Sequence, residues 1–189
     1  MSGKSGWEGY VHMIEHKYNK KKQEYTKKNI CFAAAIYGLK DGTPYAVSHN
    51  WPGLSTYEIE QETDYGKEMV TVKEWETMRE VAGGSRKPGI RIGGDKYIFL
   101  QFDQTYKSAK LAGPKGGACA CKTKELVIIG IWSKEHTMSN NLNQNDGDCN
   151  MQVEDMAEYF RGKGIWLEVI FVKVKQLIQI ETHPDILPI

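Results

Sequence analysis

Few residues in this chain of 189 are placed to do covalent or metal chemistry. The five histidines, His12, His16, His49, His136 and His183, are scattered. His12 and His16 stand four apart, one turn of a helix, but the sequence offers them no third acidic or cysteine ligand, so no metal set is expected. The four cysteines, Cys31, Cys119, Cys121 and Cys149, contain no Cys-x-x-Cys pair and no zinc spacing. They read as reduced packing residues, with Cys119 and Cys121 on one face of a strand. No Gly-x-Ser-x-Gly elbow positions a hydrolytic serine. Gly113-Pro114-Lys115-Gly116-Gly117 leads on to Lys122-Thr123, but Cys121 stands where a phosphate loop needs glycine. Ile92-Gly93-Gly94 has no following helix, so it is no dinucleotide fingerprint. No acid–base constellation or cofactor site emerges, and an enzyme is not expected.

The aromatic residues point instead to binding. Trp7 and Tyr10 lie three apart, on neighbouring positions of one helix surface. Near the other end, Cys149, Val153, Met156 and Phe160 recur at 4, 3 and 4, the spacing of a buried stripe, and Tyr159 falls about 90° to one side of it. If the two terminal helices pack side by side, Trp7, Tyr10 and Tyr159 share one groove. Such a groove suits a proline-rich peptide, which is already stiff and loses little entropy on docking.

The elements that must position these side chains follow from periodicity. Residues 5–17 read as a helix with Trp7, Val11 and Ile14 buried. Lys17 to Lys28 carries six lysines and reads as an exposed loop or frayed helix extension. Ile30–Gly38 and Tyr45–Ser48 read as a hairpin across Asp41-Gly42-Thr43-Pro44. Thr71 is placed as the N-cap of a helix from Val72 to Val81, with Glu74 completing a capping box. Ile90 to Phe102 reads as two strands joined at Gly93-Gly94. Residues 118–123 and 125–132 give two more strands, and a polar loop from Ser139 to Asp148 leads into the last helix. The class is therefore α+β, an antiparallel sheet with helices on its faces. The charge is nearly balanced, with 25 basic and 24 acidic residues, which argues against a nucleic-acid partner. No apolar run reaches membrane-spanning length, and the N-terminus has no secretory h-region.

As a set these residues resemble profilin, the family of small actin-monomer-binding proteins. Gly6-Trp7-Glu8-Gly9-Tyr10-Val11 is similar to its N-terminal signature, and Gly89 to Tyr97 to its central Gly-Gly hairpin. Lys115-Gly116-Gly117, the strand Leu126 to Trp132, and Cys149-Asn150-Met151 with the following helix keep the family's order. The resemblance spans residues 5–165, and its insertions are closer to protist profilins than to animal or plant ones. It implies a central antiparallel sheet with the terminal helices on one face and smaller helices on the other. It also implies a cytoplasmic, cytoskeletal monomer that binds monomeric actin, proline-rich proteins such as formin-like elongation factors, and phosphoinositides. Carried over position by position, the proline groove comprises Trp7, Tyr10, Tyr45, Tyr159 and Trp166. The actin surface comprises Lys87, Lys96, Phe99, Lys110, Lys115, Asn150 and Glu154; helix geometry puts Asn150, Glu154 and Arg161 on the flank opposite Tyr159.

Residues 1–166 are taken as the domain, with inserts at about 17–28 and 56–67 and an extension at 167–189. Lys20, Lys21, Lys22, Lys27 and Lys28 are the candidates for anionic lipid. The extension, strand-like from Leu167 to Lys175, is placed to cover Trp7 and Tyr10. Two alternatives stay open at this level: a peptide- or lipid-binding adaptor without actin binding, and a small-molecule sensor domain.

Overall fold

The computed structural model describes residues 6–19 and 24–163. Helix α1 (Gly6–Glu15) buries Trp7, Val11 and Ile14, as its spacing predicts. It stops at Glu15, whose carbonyl accepts the Ile30 N–H, while His16 Nδ1 accepts that of Asn29. The described parts of the lysine-rich stretch form strands rather than a loop or a helix extension. These strands, β1 (Lys17–Asn19) and β2 (Glu24–Lys27), pair antiparallel. Pairing satisfies backbone groups that an exposed loop would leave to water. Residues Lys20, Lys21 and Lys22 lie outside the described residues, as do Trp166 and the whole 167–189 extension.

Seven strands form the central sheet: β3 (Ala33–Gly38), β4 (Pro44–Val47), β7 (Ile90–Ile92), β8 (Asp95–Asp103), β9 (Ser108–Ala112), β10 (Gly116–Lys122) and β11 (Leu126–Ser133). Their spatial order is β4-β3-β11-β10-β9-β8-β7, and every pairing is antiparallel. Gly93 and Gly94 have φ of 59° and 88°. Both are positive, as a tight two-residue hairpin turn requires. Strand β9 has no sequence signal; its Ser-Ala-Lys-Leu-Ala run is weakly β-forming and is held by neighbours on both sides.

Helices α1 and α3 (Asp146–Lys163) cover one face, where Ile14, Val153 and Phe160 pack on Ala34, Cys119 and Ile128. The other face carries α2 (Glu74–Val81), whose Met78 and Val81 pack on Ala35, Ala120 and Ile129. Cys119 and Cys121 share the α1/α3 face, as their alternation predicts. All four cysteines are free and buried. Asn145 begins α3 by accepting the Asp148 N–H at 2.9 Å on its side chain, an N-cap that starts the helix ahead of Cys149.

The predicted capping box at Thr71 is wrong. Thr71 lies in β6 (Gly66–Lys73), opposite Glu58 of β5 (Thr56–Thr63), and α2 starts only at Glu74. The β-branched run Val70-Thr71-Val72 favours the pleat over the helix. The stretch 56–67 thus supplies the first strand and the turn of a separate hairpin.

Candidate functional site

Two surfaces on the α1/α3 side collect six of the predicted site residues, Trp7, Tyr10, Tyr45, Tyr159, Lys96 and Lys110. The first is aromatic. Trp7 lies 5.2 Å from Tyr45, 5.7 Å from Phe160 and 5.8 Å from Tyr10 between ring centroids. Tyr10 is in turn 5.8 Å from Tyr159 and 5.0 Å from Phe160. These are tilted and edge contacts at favourable aromatic separations. Trp7 is only 4 % exposed, whereas Tyr10, Tyr45 and Tyr159 are half-buried against the same cluster. Trp7 and Phe160 therefore form the floor, and the three tyrosines form the accessible lining. Burial raises the Tyr45 phenol above its ordinary value, with Asp41 and Glu125 adding to the effect, so its hydroxyl stays a donor at neutral pH. Four of the five proposed groove residues are thus brought together from three elements.

The second surface is the part of the sheet beyond α3. Tyr97 and Phe99 of β8 pack toward α2. Alternation puts Lys96 and Ile98 on the opposite face, and Leu100 is the extra residue where the β8–β9 register shifts between Phe99 and Gln101. Ile98 is 69 % and Leu100 56 % exposed. Lys110 of β9 lies on this face as well, 3.5 Å from Glu154 of α3 and 3.8 Å from Asp103. Sequence reasoning missed Ile98 and Leu100. The available signal was an unbroken apolar run, Tyr97 to Leu100, in a strand whose two faces should differ.

The remaining actin candidates divide. Asn150 and Glu154 are buried rather than displayed; the Ser108 hydroxyl donates to Glu154 at 2.6 Å. Phe99 is on the α2 side, with the Arg86 guanidinium 5.6 Å above its ring. Lys87 pairs with Glu80, and Lys115 with Glu135 at 3.3 Å in the β9–β10 turn. Among the lipid candidates, Lys27 pairs with Asp148 at 2.6 Å and the Lys28 N–H donates to Ser139 Oγ.

The histidine pair does have an acidic neighbour, contrary to expectation. Donor atoms of His12, Glu15 and His16 lie within 4.8 Å of one another. Because His16 Nδ1 accepts the Asn29 N–H, neutral His16 carries its proton on Nε2. Metal-bound histidines instead donate from the second nitrogen, so the trio fits an ion poorly. No described helix is long and apolar enough to cross a membrane.

An antiparallel sheet, terminal helices together on one face and an aromatic floor between them define a binding module. The family model for profilin matches residues 5–165, and the chain belongs to the profilin family, a family of actin-binding cytoskeletal proteins that are not enzymes. The profilin of Tetrahymena pyriformis is 27 % identical over 165 residues, covering 85 % of this chain and 99 % of that protein. The fold is shared with Acanthamoeba castellanii profilin IB, at 20 % identity and a TM-score of 0.52 over 84 % of this chain and 98 % of that one. Schizosaccharomyces pombe profilin matches at 18 % identity and a TM-score of 0.50, with the same coverage.

Proposed function

We propose that this chain binds monomeric actin through the sheet beyond α3 and proline-rich ligands through the aromatic groove, acting as a cytoplasmic monomer that regulates polymerisation. The observation that carries the actin reading is the exposed pair Ile98 and Leu100 of β8, with Lys96 on the same strand and Lys110 on the neighbouring β9. Exposed apolar side chains edged by cations are the ordinary make-up of a protein interface, and the cations speed encounter with an acidic partner. Asn150 and Glu154 then act by fixing α3 and Lys110 rather than by direct contact. Phe99 faces the α2 side, and Lys87 and Lys115 are paired with Glu80 and Glu135, so these three contribute less.

The groove reading rests on three half-buried tyrosines over a rigid floor, which supplies contact area at little entropic cost. Formin-like elongation factors are the expected class of proline-rich partner. Nucleotide exchange on actin would follow if binding favours its open cleft. Anionic phosphoinositides are assigned to Lys20, Lys21, Lys22, Lys27 and Lys28, where each lysine near a charged membrane contributes about 1 kcal/mol.

The deciding experiment follows polymerisation of labelled actin with wild type and with Ile98→Asp. Wild type should slow spontaneous assembly and the variant should not, while both bind a proline decamer. An unaltered effect of Ile98→Asp would remove this face from the actin reading.

A further inference from the structure

Cys31 and Cys149 are 118 residues apart in the chain, yet their sulfurs are hydrogen-bonded at 3.1 Å. A disulfide holds its two sulfurs about 2 Å apart, so a closure of about 1 Å separates this pair from a bond. Both thiols are free and buried. Cys149 lies in the first turn of α3, and Cys31 in the segment that enters β3. Other contacts fasten the same two segments to each other. Gln144 Nε2 donates to the Asn29 carbonyl at 2.8 Å, and Lys27 pairs with Asp148 at 2.6 Å. Gly130 of β11 lies beside the pair, where a Cβ would stand 3.2 Å from Cys149 Sγ and 3.3 Å from Cys31 Sγ. Its missing side chain leaves the sulfurs room to shift.

The two sulfurs differ in access. Cys31, with Glu15, His16, Asn29, His136 and Gln144, lines a cavity of about 300 Å³, whereas Cys149 does not. A polar cavity of this size holds water, and hydrogen peroxide is only slightly larger and makes the same kinds of hydrogen bond. The hydrogen bond to Cys31, and then burial, hold the Cys149 thiol well above its ordinary value. Cys31 is therefore the sulfur that meets a small reagent, and Cys149 the one that keeps its proton until its partner has reacted.

We propose that Cys31 and Cys149 form a peroxide-reactive dithiol, in which Cys31 is oxidised and Cys149 resolves it to a disulfide. The Cys31 thiolate attacks one oxygen of hydrogen peroxide. The S–O bond forms, the O–O bond breaks, and the departing hydroxide takes up the proton that Cys31 released, giving water. Sulfur is oxidised to a sulfenic acid and the peroxide is reduced. The Cys149 sulfur then attacks the sulfenic sulfur. The S–S bond forms, the S–O bond breaks, and the hydroxide leaves with the Cys149 proton as a second water. The product ties the start of α3 to the chain entering β3. The inference is independent of the actin and proline readings, because none of their groove or β8 residues lines the cavity.

The test treats the reduced full chain with hydrogen peroxide and reads its intact mass without reductant. The folded monomer should lose about 2 Da, regain it in dithiothreitol, and yield a peptide cross-linked through Cys31 and Cys149 on digestion. Its thermal midpoint should rise on oxidation, because the bond closes a long loop. Cys149→Ala should stop at the sulfenic acid, which dimedone labels on Cys31. Replacing Cys119 and Cys121 together with alanine should leave the loss of mass intact. The wild-type peptide map decides the matter should a variant fold poorly. A folded monomer that keeps its mass in peroxide would overturn the proposal. So would a cross-link through Cys119 or Cys121, or one that forms only in urea.

Discussion

Glu74, the first residue of α2, accepts the backbone N–H of Gly94 at 2.8 Å on Oε1, joining the helix to the β7–β8 turn 20 residues away. The same carboxylate accepts the Gly93 and Ser55 N–H groups at 3.1 Å and 3.0 Å on Oε2, and the Tyr57 hydroxyl at 2.9 Å on Oε1. One fully buried side chain thus ties the base of the β5–β6 hairpin to the central sheet.

Glu74→Ala should be severely destabilising, because it strands several donors at once. Each buried donor left unsatisfied costs roughly 1–3 kcal/mol, so a loss of about 3 kcal/mol or more is expected. Urea unfolding measures it. A change under about 1 kcal/mol would show that water replaces the carboxylate.

Gly130→Ala should loosen α3. A Cβ there would stand 2.5 Å from Val153 Cγ2, 3.2 Å from Cys149 Sγ and 3.3 Å from Cys31 Sγ. Overpacking of this kind costs about 1–3 kcal/mol. Thermal unfolding should show a lower midpoint, and proline-decamer affinity should fall too, because α3 carries Tyr159 and Phe160. An unshifted midpoint would mean that the helix accommodates the methyl freely.

Tyr159→Ala and Trp7→Ala should separate groove lining from groove floor. Tyrosine 159 is half-buried, so its loss should weaken decamer binding about tenfold, as an interface anchor does, with little change in stability. Trp7 is core, and its removal should cost about 3–5 kcal/mol of stability as well as binding. Tryptophan fluorescence for Tyr159→Ala and chemical denaturation for both report the two effects. Equal affinity of Tyr159→Ala and wild type would place the peptide elsewhere.

Stability should fall as pH drops from about 6.5 toward 4. Burial, aided by repulsion from His12 and Lys28, lowers the His16 pKa to about 4. Between that value and the unfolded value of 6.5 the unfolded chain binds more protons, so stability rises with pH through this window. Half-buried Glu15, its pKa raised by that burial despite the Ser48 hydrogen bond, contributes the opposite slope just above the ordinary carboxylate range. Replacing His16 with glutamine should flatten the fall between pH 6.5 and 4; an unchanged profile would assign it to other groups.

Much of the architecture was legible because local periodicity and burial agree. The Trp7-Val11-Ile14 stripe and the shared face of Cys119 and Cys121 came from spacing, and the Gly93-Gly94 turn from residue type. The Thr71 capping box failed because a cap motif reports only what could satisfy a helix end. It says nothing of the competing strand pairing with Glu58. Strand β9 was invisible because its stability comes from β8 and β10 rather than from its own residues.

The binding surfaces divide along the same line. Which side chains share a helix face or a strand face is written in the spacing of residues, through repeats of 3.6 and 2. Spacing therefore placed Trp7 beside Tyr10 and Tyr159 beside the core stripe. Which of those faces are covered depends on how the elements dock. Docking of α3 on β10 and β11 buries Asn150 and Glu154, whereas Ile98 and Leu100 of β8 stay exposed. Periodicity fixes direction from an element's own axis, whereas burial depends on what a distant segment brings to that direction.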